Sequence, residues 1–223
     1  MTELATRPPG PVGSLLDRVP VVPVVVLHDV AHAVPVAEAL VAGGVPVIEL
    51  TLRTPVALEC IEAIADQVPD ILVGAGTIVV PEQARDAAAA GAQFLVSPGT
   101  TDTLAAAMTA TGLPHLPGAA TVSEVLRLLE LGYTDMKLFP AEASGGVDFL
   151  ASIGAPVPQA RFCPTGGITV ATAARYLALA NVGCVGGSWL TPAPVVSAGD
   201  WARITELAAE TTYLSRIDPP ARP

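Results

Sequence analysis

Lys137 is the only lysine in the chain: it is one of 11 basic residues, and all the others are arginines. Whatever bias removed lysine elsewhere spared this position, which points to a task that arginine cannot perform. A primary amine can shed a proton and add to a carbonyl carbon, whereas guanidinium stays protonated and unreactive. The local pattern gives that amine a direction. In a strand over 134–139, Asp135, Lys137 and Phe139 share one face and Met136 and Leu138 the other. With the apolar pair against covering helices, Lys137 points inward, where desolvation is expected to favour the uncharged, nucleophilic amine. The plain alternative is a lysine that snorkels to solvent or pairs with a carboxylate.

A second exception lies in Val47-Ile48-Glu49-Leu50-Thr51-Leu52-Arg53, where Glu49, Thr51 and Arg53 alternate with apolar neighbours. A carboxylate and a guanidinium on the inward face of one strand can be a structural ion pair. Opposite a buried amine they can instead be a reaction centre, with Glu49 as acid/base and Arg53 gripping a substrate carboxylate in bidentate fashion.

Glycine- and proline-rich clusters follow several β-branched runs: Gly74-Ala75-Gly76-Thr77, Ser97-Pro98-Gly99-Thr100, Pro117-Gly118, Phe139-Pro140, Thr165-Gly166-Gly167 and Gly186-Gly187-Ser188. Any one of them could be no more than a tight turn. Ligands bind at the C-terminal ends of parallel strands, however, so together the clusters mark a site. The last two put bare backbone N–H groups and one hydroxyl after the seventh and eighth strands, where barrels commonly hold phosphate.

Strands are expected over 19–27, 45–52, 71–74, 93–97, 113–116, 134–139, 161–164 and 182–186. Helices are expected near 30–42, 55–67, 81–90, 101–111, 121–131, 146–153, 169–180 and 200–214. This βα rhythm runs without a composition break. It predicts a single α/β domain over 19–214, a (β/α)₈ TIM barrel in preference to a doubly wound open sheet with the same local signals. Residues 1–18 read as a flexible lead-in without a targeting signal and 215–223 as a flexible tail.

The 223 residues suffice for one barrel, and a content of 51% hydrophobic against 14% charged residues allows a large core. A net charge of −10 disfavours nucleic acid and anionic lipid as partners. No apolar run is long enough for a membrane span. Cys60, Cys163 and Cys184 lie far apart in apolar segments, as buried thiols of a reducing cytoplasm would. His28, His32 and His115 make a poor ligand set, so neither a metal nor any other cofactor is expected.

Thr51-Leu52-Arg53-Thr54, Val73-Gly74-Ala75-Gly76-Thr77, Phe139-Pro140-Ala141-Glu142-Ala143, the eight residues from Arg161 to Ile168 (RFCPTGGI) and Gly186-Gly187-Ser188-Trp189-Leu190 resemble the 2-keto-3-deoxy-6-phosphogluconate (KDPG) aldolases. The likeness runs from about Val21 to Ala209. It implies reversible cleavage of a phosphorylated keto acid to pyruvate and glyceraldehyde 3-phosphate by a metal-free, cytoplasmic homotrimer of the Entner–Doudoroff route. Carried over by position, Lys137 matches the Schiff-base lysine and Glu49 the acid/base. Arg53 and Thr77 match the pyruvyl carboxylate site, and Pro98 and Phe139 the pocket wall. Thr165 matches a position near the substrate hydroxyls, and Gly166, Gly167, Gly187 and Ser188 match the phosphate cradle.

The sequence departs from that pattern at Ala119 and Ala120, where relatives often carry a bulkier residue and a serine, and at Ser144, which replaces a frequent Asn. These changes bear on substrate preference. The same lysine and glutamate would serve 4-hydroxy-2-oxoglutarate (KHG) aldolase activity or cleavage of the galactonate epimer. A different class also fits the loops: a phosphate-binding isomerase, epimerase or sugar-phosphate binder without Schiff-base chemistry.

Overall fold

The computed structural model describes residues 14–214. Strands and helices alternate through them: β1 (Val21–Val25), α1 (Ala33–Ala42), β2 (Val47–Thr51), α2 (Ala57–Gln67), β3 (Leu72–Gly76), α3 (Pro81–Ala89), β4 (Phe94–Val96), α4 (Asp102–Ala110), β5 (His115–Leu116), β6 (Gly118–Ala119), α5 (Val122–Glu130), β7 (Asp135–Leu138), α6 (Gly146–Gly154), β8 (Arg161–Pro164), α7 (Val170–Leu177), β9 (Val185–Gly187), α8 (Ala193–Ser197) and α9 (Trp201–Thr212). Each strand stretch expected from the sequence overlaps an observed strand.

All strand pairs are parallel, in a six-stranded sheet of order β5-β4-β3-β2-β1-β9 and a three-stranded sheet of order β6-β7-β8. The expected fifth strand, 113–116, appears as β5, and an unexpected two-residue strand, β6, follows Pro117, which has no N–H to give to a ladder. Its carbonyl still accepts from Lys137 N at 2.9 Å. Isolated parallel bridges, Phe162 to Val182 and Thr165 to Gly186, tie the β8 segment to the β9 segment. The sheet is strongly curled. β2 and β7 stand four strand steps apart, roughly 19 Å in a flat sheet, yet their side chains meet.

Burial on both faces explains why the strands read as nearly unbroken apolar runs. All five residues of β2 are buried. One face packs on Val36, Leu40, Ile61 and Ile64 from α1 and α2, among others of the core. The first and last helices touch: Thr205 Oγ1 donates to Ala39 O at 3.1 Å, and a Cβ on Gly43 would lie 2.5 Å from Ala208 Cβ. Helix starts follow their caps, as where Thr121 and Glu124 form a capping box at α5 and the Asp200 side chain accepts from Arg203 N at α9.

Two expectations differ from the structure. The lead-in was taken to residue 18, but Ser14 caps a 3₁₀ turn over Leu15–Asp17, Leu16 is fully buried, and Asp17 pairs with Arg161 at 2.6 Å. A buried leucine and an ion pair hold this stretch to the domain. Residues 1–13 and 215–223 lie outside the described residues. The short helix α8 is not among the expected helices; Pro194 sits in its first turn, where no N–H is needed. Among the described residues no helix is long and apolar enough to cross a membrane.

Candidate active site

Lys137 on β7 and Glu49 on β2 meet inside the curl of the sheet. The Lys137 Nζ donates to Glu49 Oε1 at 3.0 Å, with the residues 4% and 3% exposed. The inward orientation expected from strand alternation therefore holds at both positions. Of the plain alternative, the solvent-facing lysine does not hold, whereas the pairing with a carboxylate does. Two buried charges with one contact between them are a poor source of stability, but they are well placed for exchanging a proton.

Glycines make the room. A Cβ on Gly76 of β3 would lie 2.1 Å from Glu49 Oε1 and 2.6 Å from its Cγ, so the carboxylate occupies space that only glycine leaves free. On the other side of the lysine, Gly118 is its register partner on β6, and a Cβ there would strike the backbone of Pro98 at 2.3 Å. Ser97, fully buried, accepts from Gly118 N at 3.3 Å and contacts the Thr100 hydroxyl at 3.1 Å. This network ties the residues on either side of half-buried Pro98 to the β6 backbone. The Phe139 ring centre lies 5.6 Å from Nζ, so Phe139 flanks the amine, while Pro98 lies against Gly118, the lysine's register partner. Sequence reading noted the glycines as turn formers; their use as space for a neighbouring strand's side chain was missed, since no local pattern records it.

Thr51 shares the inward face with Glu49, but its hydroxyl is tied to Val25 O at 3.0 Å. Arg53, expected on the inward strand face, instead lies exposed in the turn just past the end of β2, where it donates through Nε to Thr77 Oγ1 at 3.3 Å. It has no carboxylate partner among the described residues. Thr77 adopts φ 62°. For a β-branched residue this costs about 1–3 kcal/mol, and it turns the hydroxyl towards the guanidinium. The two expected carboxylate ligands are thus joined.

The bridge between Thr165 and Gly186 puts the ends of the last two strands side by side, which brings Gly166 and Gly167 beside Gly187 and Ser188. Gly166 and Gly167 have φ 101° and 82°, conformations that leave their N–H groups outside any ladder. Thr165 is buried, with its hydroxyl 3.4 Å from Cys163 O and its side chain over Gly186, where a Cβ would be 2.2 Å from Oγ1. Arg161, at the start of the motif that carried the resemblance, lies at the other end of β8 and pairs with Asp17 and Asp135. Its role is structural. The cysteines are buried. Desolvation first, then Glu59 and Asp29, push the Cys60 thiol up to about 11, which keeps it protonated and inert.

Gly76→Ala tests how tightly the pair is held. The added methyl must drive the Glu49 stem away from Lys137, and a displacement near 1 Å is expected to lower kcat about 10²-fold. Circular dichroism should still show a folded protein, with overpacking costing about 1–3 kcal/mol. Unchanged turnover would mean that the carboxylate does not need this position.

A parallel α/β framework with a buried amine held against a carboxylate, and with an arginine and amide-rich loops at the same strand ends, is the framework of an aldolase that works through lysine. The comparisons with known proteins are specific. The model of the KDPG and KHG aldolase family matches residues 12–207, and the chain belongs to that family. It is 53% identical over 204 residues to the KHG/KDPG aldolase of Escherichia coli, covering 92% of this chain and 96% of that one. A crystal structure of KDPG aldolase from Legionella pneumophila, with pyruvate captured at low pH as a covalent carbinolamine intermediate, superposes with a TM-score of 0.87 at 46% identity. It covers 88% of this chain and 96% of that chain. The KDPG aldolase of Zymomonas mobilis ZM4 with 3-phosphoglycerate gives a TM-score of 0.86 at 45% identity, covering 92% and 96%.

Proposed function

We propose that the protein is a class I aldolase that cleaves 2-keto-3-deoxy-6-phosphogluconate to pyruvate and glyceraldehyde 3-phosphate, in a closed (β/α)₈ barrel without a metal. The observation that carries this reading is the 3.0 Å contact between two buried groups, Lys137 Nζ and Glu49 Oε1. The bridges between the β8 and β9 segments and the packing of the first helix on the last support ring closure. The Legionella relative, captured with pyruvate as a carbinolamine, supports the covalent step. The Zymomonas relative, with a bound three-carbon phosphate ester, supports a phosphorylated substrate. A homotrimer in the cytoplasm completes the proposal, and light scattering of the purified protein tests the trimer.

In this mechanism Glu49 takes the proton of the Lys137 ammonium, leaving a neutral amine that adds to the C2 ketone. The protonated acid then gives its proton to the departing hydroxyl as water, and an iminium remains. Arg53 holds the C1 carboxylate with its terminal nitrogens, helped by the Thr77 hydroxyl, while Pro98 and Phe139 wall the pocket. Glu49, again a carboxylate, removes the proton from the C4 hydroxyl. The C3–C4 bond breaks, its electron pair moves to the iminium nitrogen, and the aldehyde leaves with its phosphate from the amides of Gly166, Gly167 and Gly187 and the Ser188 hydroxyl. The acid protonates C3 of the enamine, and water hydrolyses the new iminium to free pyruvate and the amine. Thr165 serves the substrate hydroxyls in this reading.

The direct test is borohydride reduction with pyruvate present, followed by peptide mass spectrometry: the adduct is expected on Lys137. Its absence there would end the Schiff-base reading. Because the Escherichia coli relative bears both names, KHG aldolase activity is the second reading. It is separated by comparing kcat/KM for the phosphorylated and unphosphorylated keto acids, and the KDPG reading expects a clear preference for phosphate. Ser188→Ala is expected to reduce that preference about tenfold, the value of one hydrogen bond to a charged group. Equal rates on both acids in the wild type would favour KHG.

A further inference from the structure

Beside the glycine pair that follows β8 stands a carboxylate that the reaction above does not use. Glu142 lies in the turn after β7, and its backbone N–H donates to Gly166 O at 3.1 Å, next to a 2.8 Å bond from Ala141 N to Thr165 O. Its Oε1 accepts from the hydroxyl of Tyr176 at 2.6 Å. Tyr176 is 1% exposed and belongs to α7, the helix into which the glycine loop runs. The stem of Glu142 fills the space above Gly167, where a Cβ would lie 2.6 Å from Glu142 Cγ and 2.7 Å from its Cβ. A Cβ on Gly146 would in turn approach the Tyr176 hydroxyl to 3.0 Å. The loop is thus held by a backbone bond, by an aliphatic stem and by a link to its own following helix.

A carboxylate beside an anion site works against it through like-charge repulsion. A residue kept there despite that cost needs an offsetting role, and shaping the loop is the role its contacts describe. Burial first, and then the hydrogen bond to Glu142, hold the Tyr176 hydroxyl well above the ordinary phenol range, so it stays a donor throughout neutral pH.

We propose that Glu142, clamped by Tyr176, is a positioning residue that sets the amides of Gly166 and Gly167 for a phosphate group and thereby determines the preference for phosphorylated over unphosphorylated keto acids. The inference rests on the aldolase reading of the site. Its test compares kcat and KM for the phosphorylated and unphosphorylated substrates in the wild type, Glu142→Ala, Glu142→Gln and Tyr176→Phe, with thermal melts to verify folding. Glu142→Ala is expected to raise KM for the phosphorylated acid and lower the phosphorylated-to-unphosphorylated kcat/KM ratio about tenfold, the scale of a misaligned binding group. Tyr176→Phe, which removes only the clamp, should shift the ratio in the same direction. Glu142→Gln, which keeps the stem and an acceptor oxygen, should restore the ratio. A wild type without phosphate preference would overturn the phosphorylated-substrate reading itself. A wild-type preference that survives in Glu142→Ala, or a loss shared equally by both substrates, would overturn this inference alone.

Discussion

Lys137→Arg is expected to abolish cleavage, lowering kcat by about 10⁴-fold or more, the scale of losing a nucleophile, while the protein stays folded. Arginine keeps a positive charge opposite Glu49, so the buried carboxylate is not left without a partner, which is the severe form of damage to a buried ion pair. The larger guanidinium crowds Phe139 and Pro98 at a cost of about 1–3 kcal/mol, visible as a lower melting temperature. It cannot lose its proton and attack a ketone. Because the chain has no other lysine, the borohydride-trapped pyruvate adduct should vanish from the variant. The prediction also separates two kinds of protein. A phosphate-binding isomerase, epimerase or sugar-phosphate binder uses the glycine loops but needs no amine, and it would survive the change. Substantial retained turnover of a keto acid by a folded Lys137→Arg protein would remove the covalent mechanism.

The site was legible in the sequence where a period-2 pattern carried an exception. Glu49 and Lys137 are polar residues in alternating strands, and alternation alone sent both inward. Their meeting required only that the sheet curl, which the repeated βα units imply. Residues whose role depends on a neighbouring strand were not legible. Gly76 matters because the Glu49 side chain lies across it, and Thr51 drops out because Val25 O captures its hydroxyl. The strained Thr77 lies in a strand-end Gly-x-Gly-Thr stretch, where the expected positive φ would fall on a glycine, and instead it falls on the threonine. Glu142 and Tyr176 are 34 residues apart and join only when α7 packs back beside the β7 turn. In the fold, Pro117 was a visible interruption but its consequence, β5 and β6 in two different sheets, depends on which neighbour asks for the missing N–H. The ordering of residues 14–18 escaped because a single buried leucine and one ion pair leave no periodic trace.

Glu49→Gln is the second large effect, and its value lies in dividing the reaction. The amide keeps the shape of the side chain and an acceptor oxygen at the 3.0 Å contact with Lys137, so the variant should fold. It can neither take the ammonium proton nor remove the C4 hydroxyl proton, and loss of a positioned acid/base is expected to lower kcat for cleavage about 10²–10⁴-fold. The covalent step is less demanding. The amine stays in place without the carboxylate, and water can serve for slow dehydration. Borohydride should therefore still trap pyruvate on Lys137 in the variant, more slowly, while carbon–carbon cleavage nearly stops. If cleavage and trapping fall by the same factor, Glu49 is only a counter-charge for the lysine, and the proton acceptor for C4 must be sought elsewhere in the pocket.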